Sequence, residues 1–156
     1  MKNTLKGILA VLIYLVFVAK SQAQSTNFSG NYRLTSLATS FCLDGDAQRL
    51  YPHKPNGGKF QNWKIEATSV VIDNHRAYTL TSSATNKCLD GNATNVYPKD
   101  KNGGNYQKWL IIPSDMDGYF IIKSLSTSKV LDGNATTLYP SDFNNGSYQK
   151  WKIEKL

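Results

Sequence analysis

Short segments in which apolar and polar residues alternate recur along the chain. Three of them share one pattern: NYRLTS at 31–36, AYTLTS at 77–82 and GYFIIKS at 118–124. Alternation with a period of two and enrichment in Tyr, Ile, Leu and Thr predict β-strands with one buried face. Asp-Gly, Asn-Gly and Gly-Gly pairs stand between the segments and predict tight turns. Beyond the N-terminal apolar run described below, no segment has the period of an amphipathic helix.

Each alternating segment opens a unit that occurs three times. The units share the strings LDGDAQRLYPHKPNGGKFQNW, LDGNATNVYPKDKNGGNYQKW and LDGNATTLYPSDFNNGSYQKW, which start at Leu43, Leu89 and Leu131. We place the repeats at about 28–68, 69–114 and 115–156. Within a repeat, the opening segment, the Leu-Asp segment, the Leu-Tyr or Val-Tyr segment and the final segment, such as FQNWKIE, predict four short strands.

The spacing between repeats also predicts where the chain tolerates extra residues. Repeats one and two start 46 residues apart and repeats two and three 42. The difference falls between Trp63 and Tyr78, so we predict a loop at 66–77, because surface loops accept insertions at small cost.

Three units of four strands predict an all-β fold. The architecture that fits is a β-trefoil of three four-stranded repeats with pseudo-threefold symmetry, in which six strands close a barrel and six cap it. Propellers also use four-stranded units, but they close with about 4–8 blades. A two-sheet sandwich is the remaining alternative, and it gives no reason for a threefold repeat.

The N-terminus carries a different signal. An unbroken apolar run of 12 residues at 8–19 follows Lys2 and Lys6 and precedes Ser21-Gln22-Ala23. This pattern predicts a signal peptide at 1–23 and a secreted or periplasmic protein. A membrane anchor is the alternative, but spanning needs about 20 apolar residues. We therefore predict a single domain at 24–156, without membrane insertion after the signal is removed.

The net charge and the positions of the cysteines indicate which partner to exclude and which thiol state to expect. Loss of residues 1–23 lowers the net charge from +7 to +4, and the basic residues are dispersed, which argues against a nucleic-acid partner. Cys42 and Cys88 occupy equivalent positions, and the third repeat has Val130 there. The valine favours two free, buried thiols. A disulfide between the two cysteines stays open as the alternative.

A Gln-x-Trp motif closes each string. With the upstream Leu-Asp and the repeat length, it resembles the ricin B-type (QxW) β-trefoil lectins, and the longer string resembles the actinohivin-like mannose-binding lectins. The resemblance covers nearly all of residues 24–156. It implies a lectin with up to three sugar sites, one per repeat, which would bind glycans or a polysaccharide multivalently as a monomer.

The resemblance also assigns residues. The sugar-binding set is an Asp, a Tyr, an Asn and an outer aromatic residue in each repeat: Asp44, Tyr51, Asn56 and Phe60; Asp90, Tyr97, Asn102 and Tyr106; Asp132, Tyr139, Asn144 and Tyr148. The Gln is implied to tie loops and the Trp to fill the core, which gives Gln61, Trp63, Gln107, Trp109, Gln149 and Trp151 structural roles. Phe60 lacks a hydroxyl group, so we expect the site of repeat one to be the weakest.

Chemistry supports the same assignment. A carboxylate accepts charge-assisted hydrogen bonds from sugar hydroxyls, and an aromatic ring packs on the C–H face of a sugar. The alternative is that Asp-Gly and Asn-Gly only make turns. Repeat one favours binding, because it has diverged at most positions and keeps Asp44, Tyr51 and Asn56.

The sequence gives little indication of catalysis or metal binding. His53 and His75 are unrepeated and are predicted in solvated loops, and no catalytic motif is visible. The three repeated Asp residues lie in separate repeats, unlike the paired carboxylates of a glycosidase. We predict no enzyme activity, and no metal or other cofactor, since no ligand spacing is present.

Two points concern the surface. Asn27, Asn92, Asn134 and Asn145 begin N-x-Ser/Thr sequons, and the pocket position of Asn92 and Asn134 argues against glycosylation there. The alternative function is a trefoil protein-binding module, such as a secreted protease inhibitor acting through the loop at 66–77. A carbohydrate-binding module derived from an enzyme is a third, chemically similar option.

Overall fold

The computed structural model describes residues 27–156, which form an all-β structure. The strands are β1 (Gly30–Ser36), β2 (Cys42–Gly45), β3 (Leu50–His53), β4 (Trp63–Ile72), β5 (His75–Ser82), β6 (Cys88–Gly91), β7 (Val96–Lys99), β8 (Trp109–Pro113), β9 (Tyr119–Ser124), β10 (Val130–Gly133), β11 (Leu138–Ser141) and β12 (Trp151–Lys155). One-turn 3-10 helices span Lys59–Gln61, Asn105–Gln107 and Ser147–Gln149.

Six of these strands close a barrel. β1 pairs with β4 and β12, β5 pairs with β4 and β8, and β9 pairs with β8 and β12, all antiparallel. The other strands form the hairpins β2–β3, β6–β7 and β10–β11, and their second strands contact one another. Each repeat supplies four consecutive strands. The predicted β-trefoil is therefore confirmed.

Equivalent residues of the three repeats fill the core. The buried set includes three tryptophans and two rings of aliphatic residues: Trp63, Trp109 and Trp151; Leu43, Leu89 and Leu131; Leu34, Leu80 and Ile122. Each indole Nε1 donates a hydrogen bond, of 2.9 to 3.0 Å, to the carbonyl oxygen of the leucine in its own hairpin. Each hairpin is thus tied to the barrel by a buried Trp whose polar atom is satisfied.

One unrepeated residue closes the opposite end of the barrel. The Phe28 ring contacts Tyr32, Tyr78 and Phe120 edge-on, with centroids 5.5, 5.6 and 5.2 Å away. These three rings occupy equivalent positions near the starts of β1, β5 and β9. T-shaped contacts are a favoured geometry for aromatic rings. The three hairpins follow the other ends of β1, β5 and β9, away from Phe28. Their turns and loops are therefore available to form a binding site.

The prediction of a loop at 66–77 is wrong. β4 continues to Ile72, beyond the predicted repeat boundary at 68, and β5 begins at His75. Asp73 and Asn74 form the turn with positive φ angles of 48° and 64°, the geometry of a tight two-residue hairpin turn. Val70, Val71 and Ile72 are β-branched and favour a strand. The extra residues therefore lengthen a hairpin.

Smaller differences concern single residues. The Gln of each Gln-x-Trp motif lies in a 3-10 helix, whereas a strand was predicted there. His53 ends β3 and His75 starts β5, so neither lies in a loop. Cys42 and Cys88 are free and buried, as favoured above, and burial raises the pKa of the Cys42 thiol.

Two expectations concern the chain's surroundings. The predicted signal peptide at 1–23 lies outside the described residues. Across residues 27–156, no helix combines the length and apolar character needed to cross a membrane.

Candidate functional site

Each hairpin places two predicted site residues opposite each other. In the second hairpin, Asp90 on β6 pairs in register with Tyr97 on β7. Asp44 pairs with Tyr51, and Asp132 with Tyr139, in the same way. Directly opposed side chains on antiparallel strands have Cβ atoms about 4.5–5.5 Å apart, close enough to act together.

The turn of the second hairpin is closed by Asn92. Its Oδ1 accepts hydrogen bonds from the backbone N–H groups of Thr94 and Asn95, both at 2.8 Å. Core packing fixes the residue between this turn and Asp90, because a Cβ at Gly91 would lie 2.9 Å from the Trp109 ring. The Asp-Gly-Asn string is thus explained first by the fold, and the position of the carboxylate follows from it.

A buried glutamine holds each site together. Gln107 Nε2 donates to Asp90 Oδ2 at 3.1 Å and to the Asp100 carbonyl at 2.8 Å, and its Oε1 accepts from the Asn102 backbone N–H at 2.9 Å. Gln61 and Gln149 make the same three bonds at 2.8 to 3.0 Å. The Gln therefore fixes both the carboxylate and the loop that leads to the 3-10 helix.

The predicted Asn residues lie in that loop. Asn102 Oδ1 accepts from the Gly104 backbone N–H at 2.8 Å, and Gly103 between them has a positive φ of 73°. Asn56 and Asn144 make the equivalent bond at 2.7 Å. The amide oxygen of each Asn is therefore used by the turn, and its Nδ2 group is the part that can donate to a ligand.

Burial separates an inner and an outer part of each site. The carboxylates are almost buried, since Asp44, Asp90 and Asp132 are 3%, 1% and 4% exposed. The paired tyrosines are half-buried. The outer aromatic residues are exposed: Phe60 46%, Tyr106 50% and Tyr148 47%. A ligand would therefore meet the outer ring and the tyrosine hydroxyl before it reaches the carboxylate.

The inner tyrosines remain protonated at neutral pH. Burial raises the pKa of Tyr97, and the Asp90 carboxylate raises it further, as does the hydroxyl of Tyr106, while a hydrogen bond with Asn92 lowers it. Burial and the Asp132 carboxylate likewise raise the pKa of Tyr139. Both hydroxyls therefore keep a proton to donate.

Repeat one differs in how its carboxylate is satisfied. Asp44 Oδ1 accepts a hydrogen bond of 2.7 Å from the backbone N–H of Gly45. Asp90 Oδ1 and Asp132 Oδ1 are buried and have no hydrogen-bond partner in the described part of the chain. A buried oxygen without a hydrogen bond lowers the stability of the folded protein. Each of these two oxygens can still accept a hydrogen bond.

Repeat one also carries an arginine and a histidine beside its Asp–Tyr pair. The Arg49 guanidinium lies 5.4 Å from the centre of the Tyr51 ring and pairs with Asp46 at 3.7 Å. His53 Nδ1 lies 3.9 Å from Asp44 Oδ2. Arg49 was not among the predicted site residues; the signal that could have found it is that repeats two and three have Asn95 and Thr137 at the equivalent position.

The geometry offers sites for hydrogen bonding and ring stacking. No group of three or more His, Cys, Asp or Glu side chains within residues 27–156 is arranged to hold a metal ion.

Comparison with known proteins adds a family. The family model described as ricin-type beta-trefoil lectin domain-like matches residues 17–102 and 61–140. A search of curated proteins finds no match.

Solved structures share the fold. A mosquitocidal holotoxin matches with 25% identity and a TM-score of 0.72 over 84% of this chain, which spans 18% of that chain. The Rhizoctonia solani agglutinin matches with 21% identity and a TM-score of 0.70, over 84% of this chain and 98% of its own. SeviL bound to asialo-GM1 saccharide matches with 15% identity and a TM-score of 0.71, over 82% of this chain and 98% of its own.

Proposed function

Because this chain belongs to the ricin-type beta-trefoil lectin domain-like family, we propose that it is a carbohydrate-binding protein with up to three sugar sites, one per repeat. The observation that carries the proposal is the threefold set of an exposed aromatic ring, a tyrosine hydroxyl and an amide around an Asp. Shared fold alone would not require an exposed ring at the same place in each repeat.

The set matches the chemistry of a sugar. The exposed rings of Phe60, Tyr106 and Tyr148 offer faces for sugar C–H groups. The tyrosine hydroxyls donate and accept hydrogen bonds, and the Asn Nδ2 groups donate them. The Gln network holds the Asp carboxylate and the loop that carries the Asn, so little conformational freedom of these groups is lost on binding.

Mannose-type glycans are the ligand class that we propose first, on the resemblance of the repeat strings to mannose-binding lectins. Weak single sites suffice if several engage one branched glycan, since linkage of sites raises avidity by about 10²–10⁴. We further propose that residues 1–23 direct export and are removed, and that the protein acts as a monomer.

We propose no enzymatic activity. Each repeated carboxylate is tied to the Gln of its own repeat and is nearly buried. This arrangement does not bring two carboxylates together across a scissile bond, as glycoside hydrolysis requires.

A glycan array probed with residues 24–156 tests the proposal. We expect binding to a defined set of glycans, mannose-rich ones among them, that is unchanged by EDTA. A folded protein that binds no glycan would contradict the proposal and leave the Asp and Asn residues as turn formers.

A protein-binding function is the second candidate, and the β4–β5 hairpin favours it. Val71 and Ile72 near its tip are 49% and 43% exposed, and no other repeat has this extension. If the hairpin binds a protease, replacing 68–75 by a two-residue turn should abolish inhibition in a protease panel while glycan binding remains.

A further inference from the structure

The three carboxylates differ in one hydrogen bond. Asp44 has both oxygens engaged, by Gln61 Nε2 and by the Gly45 backbone N–H. Asp90 and Asp132 have Oδ2 engaged by their Gln, and Oδ1 is buried without a partner. The Asp Oδ1 is therefore already hydrogen-bonded in repeat one, whereas in repeats two and three it can still accept a hydrogen bond.

Each inner tyrosine lies opposite the carboxylate of its own repeat. Burial raises the pKa of Tyr97 and Tyr139, and the carboxylates of Asp90 and Asp132, which lie opposite them in register, raise it further. Burial and the charges of Asp44 and Asp46 raise the pKa of Tyr51 as well, while the Arg49 guanidinium, which is absent from the other repeats, lowers it. Tyr97 lies opposite Asp90 in register, and Asp90 Oδ1 has no hydrogen-bond partner among the described residues, so the two groups must move closer together to form this bond.

The outer aromatic residue of repeat one, Phe60, also differs from those of repeats two and three, Tyr106 and Tyr148. Tyr106 and Tyr148 each place a second hydroxyl near the inner tyrosine, where it contributes to the pKa of Tyr97 or Tyr139. Repeat one has Phe60 at this place, and the Arg49 guanidinium lies over the Tyr51 ring. Repeat one thus differs from the other two in the hydrogen bonds of its carboxylate and in the residues of its outer rim.

We propose that only repeats two and three bind sugar, and that each receives a hydroxyl of a neutral sugar through its Asp–Tyr pair. On binding, the inner tyrosine hydroxyl donates a hydrogen bond to the Asp Oδ1 and accepts one from the sugar hydroxyl. Asp90 and Asp132 are then positioning residues, because the buried carboxylate acts through the tyrosine. This inference rests on the proposed function and sharpens it from up to three sites to two.

Charge restricts the ligand class. Asp90 and Asp132 each carry a buried oxygen with no compensating donor, and a sugar carboxylate or sulfate placed above it would be repelled at short range. A neutral sugar hydroxyl adds a proton to the chain of hydrogen bonds that ends on this oxygen. Neutral pyranosides are therefore the expected ligands.

Glycine amides report on the three sites separately. Gly45, Gly91 and Gly133 each follow one of the carboxylates. The protein is titrated with methyl α-mannoside, methyl β-galactoside and methyl β-glucuronide, and the three amide resonances are followed by NMR. We expect saturable shifts at Gly91 and Gly133 with a neutral glycoside, and none at Gly45 or with the glucuronide.

Matched variants test the role of the pair. Tyr97→Phe should weaken the site of repeat two about tenfold and leave the site of repeat three intact, whereas Tyr51→Phe should change neither. Asp90→Asn should weaken the same site, since it removes the charge that strengthens the hydrogen bond. Tyr106→Phe is an exposed, conservative control for loss of the second hydroxyl, and it should weaken the site by a smaller factor.

The outcomes separate the inference from the proposed function. A saturable shift at Gly45, or full affinity in Tyr97→Phe, would overturn the inference and leave the lectin proposal standing. Absence of any shift with both neutral glycosides contradicts the inference, and together with a blank glycan array it would overturn the lectin proposal as well.

Discussion

The buried frame of each repeat and the rim around its hairpin differ in how closely the three copies agree. In the frame, the Gln-to-carbonyl bond is 2.8 Å in all three repeats and the indole-to-carbonyl bond is 2.9, 3.0 and 3.0 Å. On the rim, one position holds Arg49, Asn95 or Thr137 and another holds Phe60, Tyr106 or Tyr148. The frame is constrained by buried polar groups that must be paired, and the rim is not.

This difference shows how one fold can carry unequal sites. The Gln, the Trp and the Asp Oδ2 are bonded identically in every repeat, so the hairpins are presented in the same way. What changes is the second carboxylate oxygen and the groups above it. Stability should therefore depend on frame residues of any repeat, and ligand binding on rim residues of particular repeats.

The largest expected effect comes from the frame tryptophan. Trp109→Ala removes a fully buried ring and its hydrogen bond to the Leu89 carbonyl, and should lower the free energy of unfolding by about 3–5 kcal/mol. Tyr106→Ala, on the rim of the same repeat, should change it by less than about 0.5 kcal/mol. Urea denaturation of both variants measures the contrast. Comparable losses in the two variants would remove the distinction between frame and rim.

A smaller effect is expected from the glutamine, and it should depend on the repeat. Gln107→Ala removes the hydrogen bond to Asp90 Oδ2, while Oδ1 is already without a partner, and it leaves the Asn102 N–H without its acceptor. It should lower the free energy of unfolding by about 2–3 kcal/mol. Gln61→Ala should cost about 1 kcal/mol less, because Asp44 keeps its bond from Gly45.

Urea denaturation compares these two variants directly. Gln149→Ala serves as the control, because Asp132 resembles Asp90 in having an unpartnered Oδ1. Its loss of stability should match that of Gln107→Ala. Equal losses in Gln61→Ala and Gln107→Ala would show that the Gly45 bond makes no difference to repeat one.

The frame was largely predictable from the sequence, and the rim was not. Gln-x-Trp spacing, alternating strands and turn pairs recur in register, so the trefoil and its core tryptophans follow from pattern alone. The hairpin at 66–77 was missed because an insertion between repeats does not show whether its residues pair. Val70, Val71 and Ile72 favoured a strand, and only their pairing with β5 decides it.

The state of each carboxylate was beyond the sequence for a geometric reason. Asp44 and Asp90 stand in the same Leu-Asp-Gly context, and no letter in that context distinguishes a carboxylate bonded to the next N–H from one that is not. Phe60 gave one visible sign that repeat one differs. Arg49 was a second sign, and it acquires meaning only when its guanidinium is found over the Tyr51 ring.

The smallest effect is a pH dependence that reports on the Asp–Tyr pair. Burial and the Asp carboxylate raise the pKa of Tyr97 and Tyr139 above the ordinary value of 10.0. Because the folded protein holds these protons more tightly than the unfolded chain, the stability they contribute is present below about pH 10 and is lost as pH rises through the folded pKa. Absorbance at 295 nm should show three late-titrating phenols, because burial also raises the pKa of Tyr51, and one of the three should move toward 10 in Asp90→Asn. If Asp90→Asn leaves the titration unchanged, the carboxylate does not act on Tyr97, and repeats one and two would then differ only in the hydrogen bond of the Asp Oδ1 and at the rim.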